Sequence, residues 1–272
     1  MVPTSQTQSR TPRAAPHSGS CAQTRPTLAL VTISVSPGKC AALLGWIVAC
    51  VVVLSLAASF LSFVTLTDPL LDHMRESIVR LTWVDGEANI PSWFSASLLL
   101  TAALLLAAIA AAERRIGGER VAQWVTLCVI FLFLSLDETA QLHELSIVPV
   151  RQGIGTSGLL YYAWILPAGA CVSVFVLAYL RFLTQLPART RRLLLSAGAV
   201  YVGGALGIES ISGWQAAAHG EHNPGYHLII TLEELCEMTG LVLFIYALLD
   251  YLGSRFTRVG FHIDPGTRLN RS

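Results

Sequence analysis

Long apolar runs, separated by short polar or glycine-rich breaks, dominate the chain. The first covers about residues 41–66. A polar stretch, 68–89, follows, in which Leu70, Leu71, Met74, Ile78 and Leu81 recur at helical spacing. That spacing predicts an amphipathic helix lying along a membrane interface. A second run opens on Ile90, Pro91, Ser92 and Trp93 and closes on Glu113, Arg114 and Arg115. Proline suits a first helical turn and tryptophan a membrane interface. The third run spans about 121–144, after which Pro149, Gly153, Gly155 and Gly158 predict a loop. The fourth covers 159–183, with a kink expected at Pro167. A basic loop at 189–192 leads to the fifth, 193–214. Asn223, Pro224 and Gly225 then mark a turn before the sixth, 227–252.

Each run approaches or exceeds the roughly 18–20 residues needed to cross a bilayer. The expected fold is therefore an all-α, polytopic membrane helical bundle of six transmembrane helices. A transmembrane β-barrel would need alternating strands, and nothing in the sequence alternates that way. The expected organisation is a disordered cytoplasmic tail at 1–38, a six-helix transmembrane domain at 39–254 and a basic cytoplasmic tail at 255–272.

Composition agrees with the pattern. Of 272 residues, 53% are hydrophobic and 13% charged, against about 25% charged in soluble domains. The six cysteines lie in the N-terminal tail or inside apolar runs, without metal-binding spacing, so a disulfide framework is not expected.

Charge sets an orientation. With both termini in the cytoplasm, 15 of the 18 Lys and Arg residues fall inside, and Arg75, Arg80 and Arg151 fall outside. The positive-inside rule thus predicts an N-in, C-in membrane protein. The same arrangement puts 13 of 17 acidic residues, and five of seven histidines, in outer loops or the outer halves of the spans. The basic residues follow cytoplasmic loops without interleaved aromatics, which argues against nucleic-acid binding.

The sharpest anomaly is the stretch 131–145, where an apolar run ends in Asp137, Glu138, Gln141, His143 and Glu144. A helical rotation of 100° per residue puts Asp137, Gln141 and Glu144 on one face. Glu233, Glu234 and Glu237 share an arc of the sixth helix, and Glu209 lies on the fifth. An ionised carboxylate near the bilayer centre costs about 2.5–3.5 kcal/mol on insertion scales. With no Lys or Arg in the outer half of any span, these groups call for protonation, an open cavity or a bound cation.

Two motifs resemble an uncharacterised family of bacterial multipass membrane proteins. One is Glu87, Asn89, Ile90, Pro91, Trp93, Phe94 and Ser95 before a helix. The other is Leu134, Ser135, Leu136, Asp137 and Glu138, with His143 and Glu144 near the helix end. A more distant analogy is with ceramidase-like membrane hydrolases, which use zinc with His, Asp and Ser in a helical bundle. Ser135, Asp137, His143 and His227 are the nearest ingredients here, although the paired-histidine motif is absent.

Three readings follow. In a metal-dependent hydrolase acting on a lipid or lipid-linked substrate, Glu138, His143, Glu209, Glu234 and Glu237 would hold a divalent metal such as zinc. Asp137 or Glu144 would then act as general base on metal-bound water. In a cation or proton transporter, the acids would form a relay. In a non-catalytic envelope component, they would be solvated helix ends or interhelical hydrogen-bond formers.

Overall fold

The computed structural model describes residues 35–86 and 88–256, apart from the side chains of Glu144, Ser146, Ile147 and Ile154. Glu87 and nearly all of both tails, including the disorder expected there, lie outside the described residues.

Every regular element among the described residues is helical. Helix α1 (Pro37–Ser62) starts on a proline at its first position. Helix α2 (Pro69–Thr82) is capped by Asp68, whose carboxylate accepts from the Leu70 and Leu71 amides at 2.9 and 3.0 Å. Helix α3 (Ile90–Arg115) begins with a reciprocal cap between Asn89 and Ser92. Such caps satisfy amides that have no partner inside the helix. Helix α4 (Val121–Ala140) is followed by a 3₁₀ turn (His143–Ser146), α5 (Ile147–Ile154) and a second 3₁₀ turn (Gly158–Leu160). Then come α6 (Ile165–Thr184), α7 (Ala188–Val202), a π-helical turn (Gly203–Ile208), α8 (Glu209–His219) and α9 (Pro224–Arg255).

Five helical stretches are long and apolar enough to cross a membrane: 37–62, 90–115, 121–140, 165–184 and the continuous 188–219. The sixth expected span, α9, carries Glu233, Glu234, Glu237 and Asp250, yet it is the 32-residue axis of the bundle. Its Ile230, Met238, Leu241, Ile245 and Leu248 are buried in the core. Helices α1, α3, α7 and α8 pack around it.

In lipid, helix association rests on close van der Waals approach, because the surrounding chains are as apolar as the helices. The α7–α9 crossing shows this. A Cβ on Gly240 would stand 2.7 Å from the Tyr201 amide nitrogen and 2.9 Å from its Cα. At the opposite end of the bundle, Glu113 of α3 is fully buried and accepts from the Tyr251 hydroxyl at 2.7 Å and Arg255 Nε at 3.2 Å. These bonds tie α3 to the last turns of α9.

Several sequence expectations shift. Pro167 does not kink a long helix, because α6 starts at Ile165 and proline in a first turn removes no intrahelical bond. The expected loop after the third run holds α5, with Pro149 again in a first turn. Arg189, Arg191 and Arg192 belong to the start of α7.

Candidate functional site

Helix α4 stops at Ala140, four residues short of the expected Glu144, because Gln141 turns left-handed at φ 55° and donates its amide to the Asp137 carbonyl at 2.6 Å. Gln141 and Glu144 therefore do not continue a helical face with Asp137. The reversal brings His143 back onto Asp137 instead. One carboxylate oxygen accepts from the His143 amide at 2.8 Å, and the other lies 3.0 Å from Nδ1. Asp137, a candidate general base, thus holds a turn, and its histidine partner is one of the metal-ligand candidates. The side chain of Glu144, the other candidate base, lies outside the described residues.

The network continues across the bundle. The His143 ring packs against Trp164, with centroids 4.9 Å apart. Trp164 Nε1 donates to Glu209 Oε1 at 2.6 Å. Glu209 is the first residue after the π turn, and Ser212 one turn later lies 3.0 Å from Glu233 Oε2. Asp137→Ala removes two acceptors from a tight turn, each worth about 1 kcal/mol. It should lower the unfolding temperature in detergent, whereas Asp137→Asn, which can still accept the His143 amide, should lose less.

Glu138, Glu234 and Glu237 behave differently. All three are half-buried and, among the described residues, make no side-chain hydrogen bond. They lie within electrostatic reach of one another and of Glu209. Tyr201 of α7 feels the same charges. The π turn is fitted against this part of α9. A Cβ on Gly204 would meet the Glu233 carbonyl at 2.9 Å and Glu237 Cγ at 3.1 Å. A π turn inserts an extra residue into the helical ladder and is frequent at functional sites.

No ion pair among the described residues joins a basic side chain to Glu138, Glu233, Glu234 or Glu237. Of the three arginines expected on the outer side, Arg75 is held by Asp72 at 2.7 Å. Arg151 is bonded to the Tyr161 carbonyl and lies over the Tyr161 ring, 4.4 Å from its centroid.

The five candidate ligands do not meet at one point. Glu138, Glu209, Glu234 and Glu237 share a region, while His143 is turned onto Asp137. Among the described residues no three His, Cys, Asp or Glu side chains are grouped closely enough to hold a metal ion. Trp164, Tyr201 and Ser212 complete the surroundings and carried no sequence signal, since each looks like an ordinary residue within an apolar run.

A second polar region lies at the same end, where α2 and the α8–α9 loop meet. Tyr162 and Tyr226 hydroxyls stand 2.8 Å apart and reach Glu221 at 3.4 Å and Asp85 at 3.3 Å. Burial pushes the Tyr162 phenol above its ordinary value, and the Glu221, Asp85 and Glu209 charges push the same way. It is therefore a neutral hydrogen-bond donor at physiological pH.

The all-helical architecture of the described residues and its five membrane-length apolar stretches are consistent with one class, the multi-pass helical membrane proteins. Residues 44–252, about three quarters of the chain, match a family described as a domain of unknown function (DUF8692), and the protein belongs to that family. No curated protein and no solved structure matches the chain.

Proposed function

We propose that the protein is a cation/proton transporter of a bacterial inner membrane, with α9 as a sixth span and both termini in the cytoplasm. Its coupling site is the group Glu138, Glu234 and Glu237. The observation that carries this reading is the set of three half-buried carboxylates on α4 and α9, in mutual electrostatic reach and, among the described residues, without hydrogen-bond partners. Carboxylates left in that condition inside a membrane must hold protons or a cation. Since the three are not grouped closely enough to chelate an ion together, a cation would displace protons by pairing with one or two of them at a time.

The helix facing them supports the same reading. Transporters bind coupling ions where membrane helices are interrupted. Here the continuous helix 188–219 departs from α geometry at the π turn Gly203–Ile208, directly beside Glu233 and Glu237. A π turn can return to α geometry by shifting one residue, which offers a route for moving Glu209 relative to α9. Protons and cation compete for the same oxygens, so cation binding strengthens as pH rises.

The hydrolase reading needs a metal held by several ligands at one point and a free base. Asp137 is bonded to His143, and the side chain of Glu144 lies outside the described residues. No observation therefore supports hydrolysis of a lipid-linked substrate as directly as the acidic group supports ion exchange. Purified protein in liposomes should show Na⁺- or Ca²⁺-driven proton movement whose apparent cation affinity Glu237→Gln weakens about thirtyfold. Equal proton movement in wild-type and variant vesicles at every cation concentration would exclude the transporter.

A further inference from the structure

Away from Glu138, Glu234 and Glu237, a cavity of about 340 Å³ opens at the end of the bundle between α2, the loop after it and the start of α9. Its walls include Trp83, Asp85, Glu221, His222, Tyr226 and His227. The volume falls in the roughly 300–1,000 Å³ range of small-molecule sites. The walls carry two carboxylates and no lysine or arginine.

His227 gives the cavity a built floor. It is only 8% exposed. Trp83 and Phe63 pack against its ring at a tilt, with centroids 4.2 and 4.9 Å away, and Nδ1 is fixed 2.8 Å from Ser59 Oγ. Nε2, the other ring nitrogen, has no hydrogen-bond partner among the described residues although the ring lines the cavity. A buried imidazole held so firmly, with one polar atom left unused, is prepared for something that enters.

The position of α2 indicates where that something comes from. Asp72 and Arg75 are bonded to each other, and Arg75 also donates to the Leu61 carbonyl of α1 at 3.4 Å. The apolar residues Leu70, Leu71, Met74, Ile78 and Leu81 are exposed instead. A helix with its apolar side outward belongs at the lipid interface. The cavity beside it then lies at the level of lipid headgroups.

The geometry points to a binding site for an ammonium group, a lipid headgroup amine or its free counterpart, held between Asp85, Glu221 and the Trp83 ring with His227 Nε2 accepting from it. Carboxylate charge combined with aromatic faces is the composition that recognises such cations. The Nδ1 proton goes to Ser59 Oγ in this arrangement, which leaves the Nε2 lone pair directed at the ligand. The aromatic walls beside the two carboxylates suit an organic cation, which a ring face can contact.

Calorimetric titration of the detergent-solubilised full chain tests this. The probes are dihexanoyl-phosphatidylethanolamine, dihexanoyl-phosphatidylglycerol and free ethanolamine. The ethanolamine lipid should bind at least about tenfold more tightly than the glycerol lipid, and Glu221→Gln and Trp83→Leu should each weaken it about tenfold. Trp83→Phe, which keeps a ring, should retain most of the affinity. Should Trp83→Leu fail to fold, Glu221→Gln on its exposed loop still decides. Free ethanolamine binding as tightly as the lipid supports a soluble amine as ligand, and much weaker binding supports the headgroup. Equal affinity for the two lipids, or no effect of Glu221→Gln, overturns the assignment. Binding should persist in Glu234→Gln/Glu237→Gln, so its failure is distinguishable from failure of the transport reading.

Discussion

Gly240→Val should abolish recovery of folded protein, or lower its stability by about 3 kcal/mol or more. The added Cβ falls 2.7 Å from the Tyr201 amide nitrogen, 2.8 Å from Tyr201 Cβ and 2.9 Å from Tyr201 Cα. Two of these are backbone atoms of α7, so no rotamer change relieves the clash. The two helices must separate along the crossing that also brings Gly204 onto Glu233 and Glu237. An internal comparison comes from Gly253 on the same helix, where a Cβ would meet nothing within 4 Å. Gly253→Ala should be neutral, or stabilising by up to about 1 kcal/mol through helix propensity. Thermal unfolding of the detergent-purified variants, followed by size-exclusion chromatography, separates the two outcomes. If Gly240→Ala proved as stable as Gly253→Ala, the α7–α9 packing would be wrong.

The largest functional effect should come from Glu234→Gln combined with Glu237→Gln. A cation 4 Å from a carboxylate gains about 4 kcal/mol at an effective dielectric constant near 20. If hydration offsets half of that, each lost charge costs about 2 kcal/mol, or about thirtyfold in affinity. Two such losses remove coupled transport at any practical cation concentration. Glu233→Gln should behave differently. Glu233 is buried and bonded to Ser212, and glutamine can keep that bond, so transport should fall only a few-fold. Proton flux in liposomes under an imposed cation gradient reads all three variants. A double variant with wild-type flux would remove these glutamates from the mechanism.

The helical class was legible in the sequence because apolar run length is a strong signal, and the glycine, proline and asparagine breaks placed the turns closely. The acidic region was also legible, since carboxylates in apolar helices stand out against their neighbours. What could not be read was the local geometry that decides their roles. Helical rotation joined Asp137, Gln141 and Glu144 on one face, but a single left-handed residue at Gln141 ended the helix and committed Asp137 to His143. The π turn has no periodicity signature of its own. Its Gly204 lets the turn approach α9 closely, at Glu233 and Glu237. The cavity beside α2 was dispersed along the chain. Ser59, Trp83, Asp85 and His227 come from α1, the α2–α3 connection and α9, so no local pattern could join them.

The central claim is that Glu138, Glu234 and Glu237 exchange protons for a cation. Its most direct measurement is proton release on addition of Na⁺ or Ca²⁺ to the purified protein in weakly buffered detergent solution, followed with a pH indicator. Wild-type protein should release protons in saturable fashion, with tighter cation binding at higher pH, and the triple variant Glu138→Gln/Glu234→Gln/Glu237→Gln should release none. Release undiminished in the triple variant, or absent from folded wild-type protein, would contradict the account.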